Sequence, residues 1–451
     1  MKTSRALVTN AGTPEGRAAV EALLGMCGTV FVAGEGPLPE EGKIPANHSC
    51  ANEAVWQAMM AEITGDSPLD VLIHCPVSGS GMETAQTQLR ENWLAAKFAN
   101  VGLSADEGVF ISILRDGVES GDADMAAVCE GMVISTRAAQ IDAAREGKRL
   151  RSNRLIASPD CDAGDLREAI SALAGPAGSF MAGADLRLSA SAGGACSTSL
   201  EGRSFIVTGA TSGIGRATAI EIGRRGGWVG VAGRKPDLGE ETLAAVREAG
   251  GDGMFIRLDV TDPQAWNSAV DQVVEQTGAL HGLVNNAGEA KNAPISQLSE
   301  DVIRFLVDLN YGGCRRGMTA AIEALGKSGG AVVNVSSVAG IRAGPGGSAY
   351  GASKAAMIGL SQMFHQTEAA PRGARVNVIE PGLIWSDSVA DALGEEGAQA
   401  FREMVVANTP LGRVGLPEEV GRFVAYLLSP AASGIGGQSI PVSGGLELLH
   451  P

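Results

Sequence analysis

Residues 205–217 read FIVTGATSGIGRA, and residues 6–18 read ALVTNAGTPEGRA. Each stretch is a β-branched apolar run, a turn and the first residues of a helix, and the two are offset by 199 residues. In the later copy Gly209, Gly213 and Gly215 let the chain turn tightly and bring an anion against the helix N-terminus, where free N–H groups and the helix dipole favour negative charge. In the earlier copy Asn10 and Pro14 stand in place of the first two of these glycines. Proline removes an N–H that a phosphate would want, and asparagine takes a positive φ less readily than glycine. The pair of stretches predicts a duplicated chain with one working half.

Outward from the later turn, short apolar runs alternate with amphipathic stretches. The runs are SFIVTG, GWVGVAG, MFIRLDV, GLVNNAG, AVVNVSS, ARVNVIEPG and QSIPVSGG, with helical segments such as PEEVGRFVAYLLS between them. Alternating βα units bury a parallel sheet between two helix layers. The first half repeats the order as RALVTN, TVFVAG, LDVLIHC, GVFISIL, SNRLIAS and FMAGADLRLSA. A chain of 451 residues is too long for one core. The expected fold class is therefore α/β: two tandem Rossmann-like, doubly wound parallel-sheet domains of three layers each. Their expected boundaries are 1–190 and 202–451, with the small, polar stretch 191–201 as a linker. After IASPDC the first copy passes almost directly to DLREAISALAG, whereas the second inserts PGLIWSDSVADALGEEGAQAFREMVVANTPLGRVG. A segment at the C-terminal end of a parallel strand is where such folds place a substrate loop.

The formal charge of -16 argues against a nucleic-acid partner, which needs a basic footprint. The short run Lys148, Arg149, Arg151, Arg154 is expected to be a solvated helix end. No apolar run reaches membrane-spanning length, and MKTSRALV lacks the features of a signal peptide, so the expected compartment is the cytoplasm. Seven cysteines without paired spacing and five scattered histidines suggest neither a disulfide framework nor a metal site. The cysteines are expected to be buried small hydrophobes, and His281 and His365 to be surface or loop residues.

The chemistry is carried by SAYGASKAAM, residues 348–357. A Tyr and a Lys four positions apart share one helix face, so Tyr350 and Lys354 address the same small volume. A nearby ammonium and a positive nicotinamide ring would both favour the phenolate, making Tyr350 a usable acid and base. Ser337, at the end of AVVNVSS, is placed to hydrogen-bond the same substrate oxygen; Ser336 is its rival. The second strand ends VAGRK, so Gly233 supplies no carboxylate for a ribose diol while Arg234 and Lys235 supply positive charge. NADP(H) is the expected cofactor, with NAD left open by Asp237.

Together with TGxxxGxG, NNAG and a following PG turn, this pattern resembles the short-chain dehydrogenase/reductase family over residues 200–447. The resemblance implies that Ser337, Tyr350 and Lys354 form the catalytic triad and that Asn310 in DLNYGG is the fourth member of a proton relay. It further implies cofactor contacts from Gly209, Ser212, Gly213, Ile214 and Gly215 in the turn, from Arg234, and from Asp259 and Val260 in LDVTD. Asn286, Ala287 and Gly288 would line the cleft, Tyr350 and Lys354 would also touch the cofactor, and Pro381, Gly382 and Ile384 would lie at the nicotinamide end. Metal ligands are not implied.

In the first half Met125 and Cys129 fall opposite Tyr350 and Lys354, His74, Cys75, Pro76 and Val77 replace NNAG, and Glu35 replaces Arg234. The position of the catalytic serine falls near Ser112 or Ile113. That half is expected to be non-catalytic and empty of dinucleotide, retained as a fused partner surface in a homodimer of tandem chains; large 3-oxoacyl reductases with a degenerate amino-terminal half are similar in layout. Leu383, Trp385, Leu393, Phe401 and Met404 in the insertion point to a partly apolar ketone, secondary alcohol or 3-oxoacyl thioester, with Arg342 and Arg402 the only cations near the expected pocket. The alternative is an NADP(H)-binding sensor or scaffold without turnover.

Overall fold

The computed structural model describes residues 4–35, 37–45, 50, 52–65, 67–190 and 197–448, with the backbone alone over 387–395. The chain forms two compact units: Met1–Cys196 with Glu403–Arg413 and Gly444–Pro451, and Ser197–Arg402 with Val414–Ser443. This division departs from the expected boundaries, because two short C-terminal segments group with the first unit. Arg413 supplies part of the reason: its guanidinium meets Glu107 at 3.2 Å and donates to the Ser179 carbonyl at 3.0 Å.

The first unit is built on β1 (Arg5–Thr9), β2 (Thr29–Val32), β3 (Val71–His74), β4 (Gly108–Arg115), β5 (Leu150–Ala157) and β6 (Asp185–Leu188). They pair in parallel in the order β2-β1-β3-β4-β5-β6. The second unit holds β7 (Ser204–Thr208), β8 (Trp228–Gly233), β9 (Asp252–Arg257), β10 (Gly282–Asn285), β11 (Ala331–Val335), β12 (Arg375–Pro381) and β13 (Ser439–Val442). Its order is β13-β12-β11-β10-β7-β8-β9, again parallel throughout. Both are Rossmann-like α/β sheets. Where the second unit has β9, the described residues of the first show an isolated parallel bridge of Lys43 to Phe31 before the helix Glu53–Thr64.

Every residue of β7 and β11 is buried, which is why these strands read as unbroken apolar runs. Neighbours on β7 point to opposite faces. Ile206 joins Trp266, Met318 and Val332 in a core beneath the helices Pro263–Thr277 and Gly313–Ser328. Phe205 faces the other helix layer, where Gly421 of the helix Pro417–Leu428 is so close to Ala217 of Gly213–Arg224 that a Cβ would meet its carbonyl at 3.0 Å. In the first unit Trp56 stacks on Phe98 with centroids 5.5 Å apart, inside a core that includes Leu7, Leu72 and Phe110. Each such large apolar side chain contributes about 1.5–3 kcal/mol of burial.

Three further expectations change. Of the linker, 191–196 lies outside the described residues, but Leu200 is buried and its amide donates to the Arg225 carbonyl at 2.8 Å, so 197–201 is tied to the second unit. Arg151 and Arg154 are not a solvated helix end: they sit buried in β5, Arg151 bonding the Leu173 and Gly178 carbonyls and Arg154 pairing with Asp185. Their cost of burial is offset by these bonds. His281 is a loop residue as expected, but His365 lies in a helical turn; both are half-buried, each ring Nδ1 accepting a backbone amide, from Ser204 at 3.1 Å and from Val376 at 3.4 Å.

Candidate active site

The strand order reverses between β7 and β10, and a crevice opens at the carboxyl ends of strands at such a point. There the second unit has a cleft of about 860 Å³. Gly209 and Gly213 have φ of +62° and +52°, the left-handed region that a Cβ disfavours. Asn286 fastens the turn from the neighbouring strand. Its Nδ2 donates to the Thr208 carbonyl at 2.9 Å, while the amides of Asn286 and Ala287 donate to Thr208 Oγ1 at 3.0 Å. No side chain caps the helix Gly213–Arg224, so its first amides are directed to the cleft that Ser212, Gly213 and Ile214 line. A glycine turn at an uncapped helix start fits a dinucleotide's phosphates.

The cleft also takes in Gly209, Arg234, Asp259, Val260, Asn286, Ala287 and Gly288, and past β12 it takes in Pro381, Gly382 and Ile384. Gly215 does not line it. A Cβ on Gly215 would lie 2.5 Å from Asn286 Nδ2, so this glycine instead permits the close approach of helix and strand.

Ser337, Tyr350 and Lys354 all reach the cleft. The helix Ser348–Phe364 carries Tyr350 and Lys354 on one face, the Lys354 Nζ lying 5.8 Å from the Tyr350 ring centre and donating to the Val335 carbonyl at 2.9 Å. Burial pushes Lys354 down to about 8, with Cys314 acting weakly in the opposite sense. Burial also pushes the Tyr350 phenol up, opposed by a hydrogen bond with Ser337. The net direction is thus opposite to a depression by the ammonium: burial raises the phenol, and the opposing cause is the Ser337 hydrogen bond. Ser336 also lines the cleft, with its hydroxyl donating to the Lys354 carbonyl at 2.9 Å.

Asn310 lies in a π-helical turn, Val307–Gly312, and does not line the cleft. Its side chain accepts from the Glu289 amide and donates to the Glu289 carbonyl, both at 3.1 Å, and donates to Ser353 Oγ at 2.9 Å. It stands behind Gly288, where a Cβ would lie 2.6 Å from Asn310 Oδ1 and 3.4 Å from Lys354 Nζ.

At the far end Asp259 is held below its usual range, first by the Thr261 amide and then by the Thr261 hydroxyl, at 3.0 and 2.7 Å. Arg234 meets Glu289, 3.6 Å away. Glu289 was not legible as a site residue; an acid directly after NNAG was the available signal. In the segment inserted after β12, Leu383 and Phe401 line the cleft, and Arg402 lies over the Trp385 ring at 3.8 Å. The Leu393 side chain lies outside the described residues, and Met404 falls in the first unit.

The first unit keeps the left-handed residue that opens this turn, loses the second one at Pro14, and fills the turn differently. Asn10 takes φ +53°, the conformation of Gly209, and its Nδ2 donates to the Cys75 carbonyl at 2.9 Å and to Glu91 at 3.0 Å. Thr13 caps the helix Pro14–Leu24 by accepting from the Gly16 amide. Strand register places Arg115, not Ser112 or Ile113, at the position of Ser337, since Thr9, His74 and Ser112 pair as Thr208, Asn285 and Asn334 do. Arg115 is bound to Glu15 at 2.9 Å. Cys129, opposite Lys354, directs its thiol to the Arg115 carbonyl.

Among the described residues no helix is long and apolar enough to cross a membrane. A family model described as enoyl-(acyl carrier protein) reductase matches residues 209–447. The 3-oxoacyl-[acyl-carrier-protein] reductase FabG of Thermotoga maritima is 36% identical over 256 residues, covering 55% of this chain and 99% of the relative. A putative short-chain alcohol dehydrogenase structure from Sinorhizobium meliloti aligns with TM-score 0.52 and 31% identity over 55% of this chain and 98% of its own. A 7α-hydroxysteroid dehydrogenase complexed with NADH and 7-oxo glycochenodeoxycholic acid aligns with TM-score 0.52 and 28% identity over 56% of this chain and 97% of its own. With the glycine turn, NNAG and the Tyr-Lys helix face gathered in one cleft at the sheet's reversal point, the chain belongs to the short-chain dehydrogenase/reductase family of oxidoreductases.

Proposed function

We propose that the second unit is an NADP(H)-dependent reductase of ketones and dehydrogenase of secondary alcohols, and that the first unit takes no part in catalysis. The observation that carries this reading is the convergence of Ser337, Tyr350 and Lys354 on the cleft that begins at the uncapped glycine turn. In it Gly209, Ser212, Gly213 and Ile214 hold the pyrophosphate, Arg234 faces a 2′-phosphate, Asp259 and Val260 flank the adenine, Asn286 to Gly288 line the cleft beside the turn, and Pro381, Gly382 and Ile384 wall the nicotinamide half. Bound there, NADP(H) supplies or takes the hydride. Ser337 donates a hydrogen bond to the substrate oxygen while the Tyr350 hydroxyl passes it a proton in reduction and removes one in oxidation. Lys354, fixed on the Val335 carbonyl, stabilises the phenolate that proton donation leaves behind. Asn310 acts behind them by clamping Glu289 and Ser353.

Leu383 and Phe401 favour a partly apolar carbonyl compound, and the names of the relatives keep a 3-oxoacyl thioester and a cyclic alcohol or sterol in the panel. The decisive assay follows NADPH consumption by the full chain across such a panel. Turnover of at least one ketone is expected; cofactor binding without turnover of any member would favour a sensor instead. The same reading expects a homodimer in the cytoplasm, and a monomer by light scattering would remove the dimer from it.

A further inference from the structure

Family arginines at the end of the second strand attract a 2′-phosphate, but here the arginine has a carboxylate against it. The Arg234 Nη2 lies 3.6 Å from Glu289 Oε1, and both residues line the cleft. Glu289 is not a drifting surface acid. Its amide donates to Asn310 Oδ1 and its carbonyl accepts from Asn310 Nδ2, each at 3.1 Å, and Asn310 is itself buried. The backbone from which the carboxylate extends is therefore clamped on both sides, while the carboxylate stays within reach of the one guanidinium positioned for the cofactor's ribose. Asp259, which Arg234 also influences, is already engaged by Thr261 and does not compete in the same way.

We infer that Glu289 sets the balance between NADP(H) and NAD(H) by holding the Arg234 guanidinium and opposing the charge of a 2′-phosphate. A 2′-phosphate must displace this carboxylate or share the guanidinium with it, and it meets like-charge repulsion in doing so; a free 2′-hydroxyl meets neither obstacle. The pair is partly exposed, with side-chain exposures of 62% for Arg234 and 43% for Glu289, so the effect is of surface-pair size: about two- to fivefold in affinity, shrinking with salt. This assignment rests on the proposed nucleotide site but not on catalysis, so it is tested by binding.

The full chain, Glu289→Gln, Arg234→Ala and the double variant are titrated calorimetrically with adenosine 2′,5′-bisphosphate and with AMP. Glu289→Gln should tighten the bisphosphate about two- to fivefold relative to AMP, and this gain should shrink when Arg234 is absent, leaving only the relief of direct repulsion. An unchanged ratio, an equal gain in the Arg234→Ala background, or a loss of AMP binding with Glu289→Gln overturns the inference; the last would make Glu289 a direct ligand of the ribose. If the wild-type chain binds neither nucleotide, the proposed cofactor site itself falls, an outcome separate from a failure confined to Glu289.

Discussion

The Lys354 ammonium is anchored to the Val335 carbonyl at 2.9 Å and held 5.8 Å from the centre of the Tyr350 ring. Burial moves the two groups in opposite senses, Lys354 down to about 8 and Tyr350 up. Reduction needs the protonated phenol and an ammonium to stabilise the phenolate it becomes. Its kcat/KM should be level at low pH and fall as pH rises through about 8, where Lys354 loses its charge. Oxidation needs the phenolate at the outset, and with a raised Tyr350 its kcat/KM should climb with pH. Profiles in both directions over roughly pH 6 to 10 check this. Parallel profiles would mean that another group transfers the proton.

Replacing the phenol tests the same step more directly. Tyr350→Phe keeps the ring on its helix face and removes only the hydroxyl, so cofactor affinity should stay within a small factor. Turnover should fall by about 10²-fold or more, the usual worth of a positioned acid or base. The check is kcat from cofactor absorbance beside a fluorescence titration of the same protein. Retained turnover would remove Tyr350 from the mechanism.

Two glycines at equivalent places in the two units separate a binding role from a structural one. At Gly215 an added Cβ would press on the Gly209 carbonyl and lie 2.5 Å from Asn286 Nδ2; at Gly16 it would lie 2.5 Å from the Asn10 carbonyl oxygen and 2.6 Å from Ala11 Cα. Both substitutions to alanine should lower stability, by about 1–3 kcal/mol in urea unfolding, the range for overpacking. Only Gly215→Ala should also weaken NADPH binding tenfold or more, because only there does the turn face the proposed nucleotide site. Equal effects on binding would show that the two turns do not differ in function.

The strands were legible because parallel strands buried on both faces must be apolar throughout, and β7 and β11 are. Tyr350 and Lys354 were legible because helical spacing alone fixes a shared face. What depended on strand register was not: Arg115 stands where Ser337 does, three residues beyond Ser112, and only the pairing of β3 with β4 shows it. The conformation of Asn10 was not legible either, because its side chain, bonded to Cys75 and Glu91, stabilises a left-handed turn that backbone preference alone disfavours. Glu289 and Arg234 are far apart in sequence, and no local pattern joins them. The direction of the Tyr350 shift depends on how much water the fold excludes, which spacing does not encode.

The first unit gives the last prediction. Where the second unit offers bare amides at its helix start, the first has the Thr13 hydroxyl on the Gly16 amide at 3.1 Å and the Glu15 carboxylate on Arg115 at 2.9 Å. The Asn10 amide bridges Cys75 and Glu91 across the turn, and a Cβ on Gly12 would already touch the Pro37 carbonyl at 3.0 Å. A dinucleotide would have to break these bonds and meet a carboxylate near the position its phosphates need. Calorimetric titration of the full chain with NADP should therefore give one site per chain. Arg115→Ala should lower stability by about 1–2 kcal/mol, since it strands Glu15, which is 10% exposed, while Arg115 itself is 31% exposed and only partly desolvated. Turnover should not change. Two nucleotides per chain, or lost turnover in Arg115→Ala at full folding, would make the first unit a participant in the chemistry.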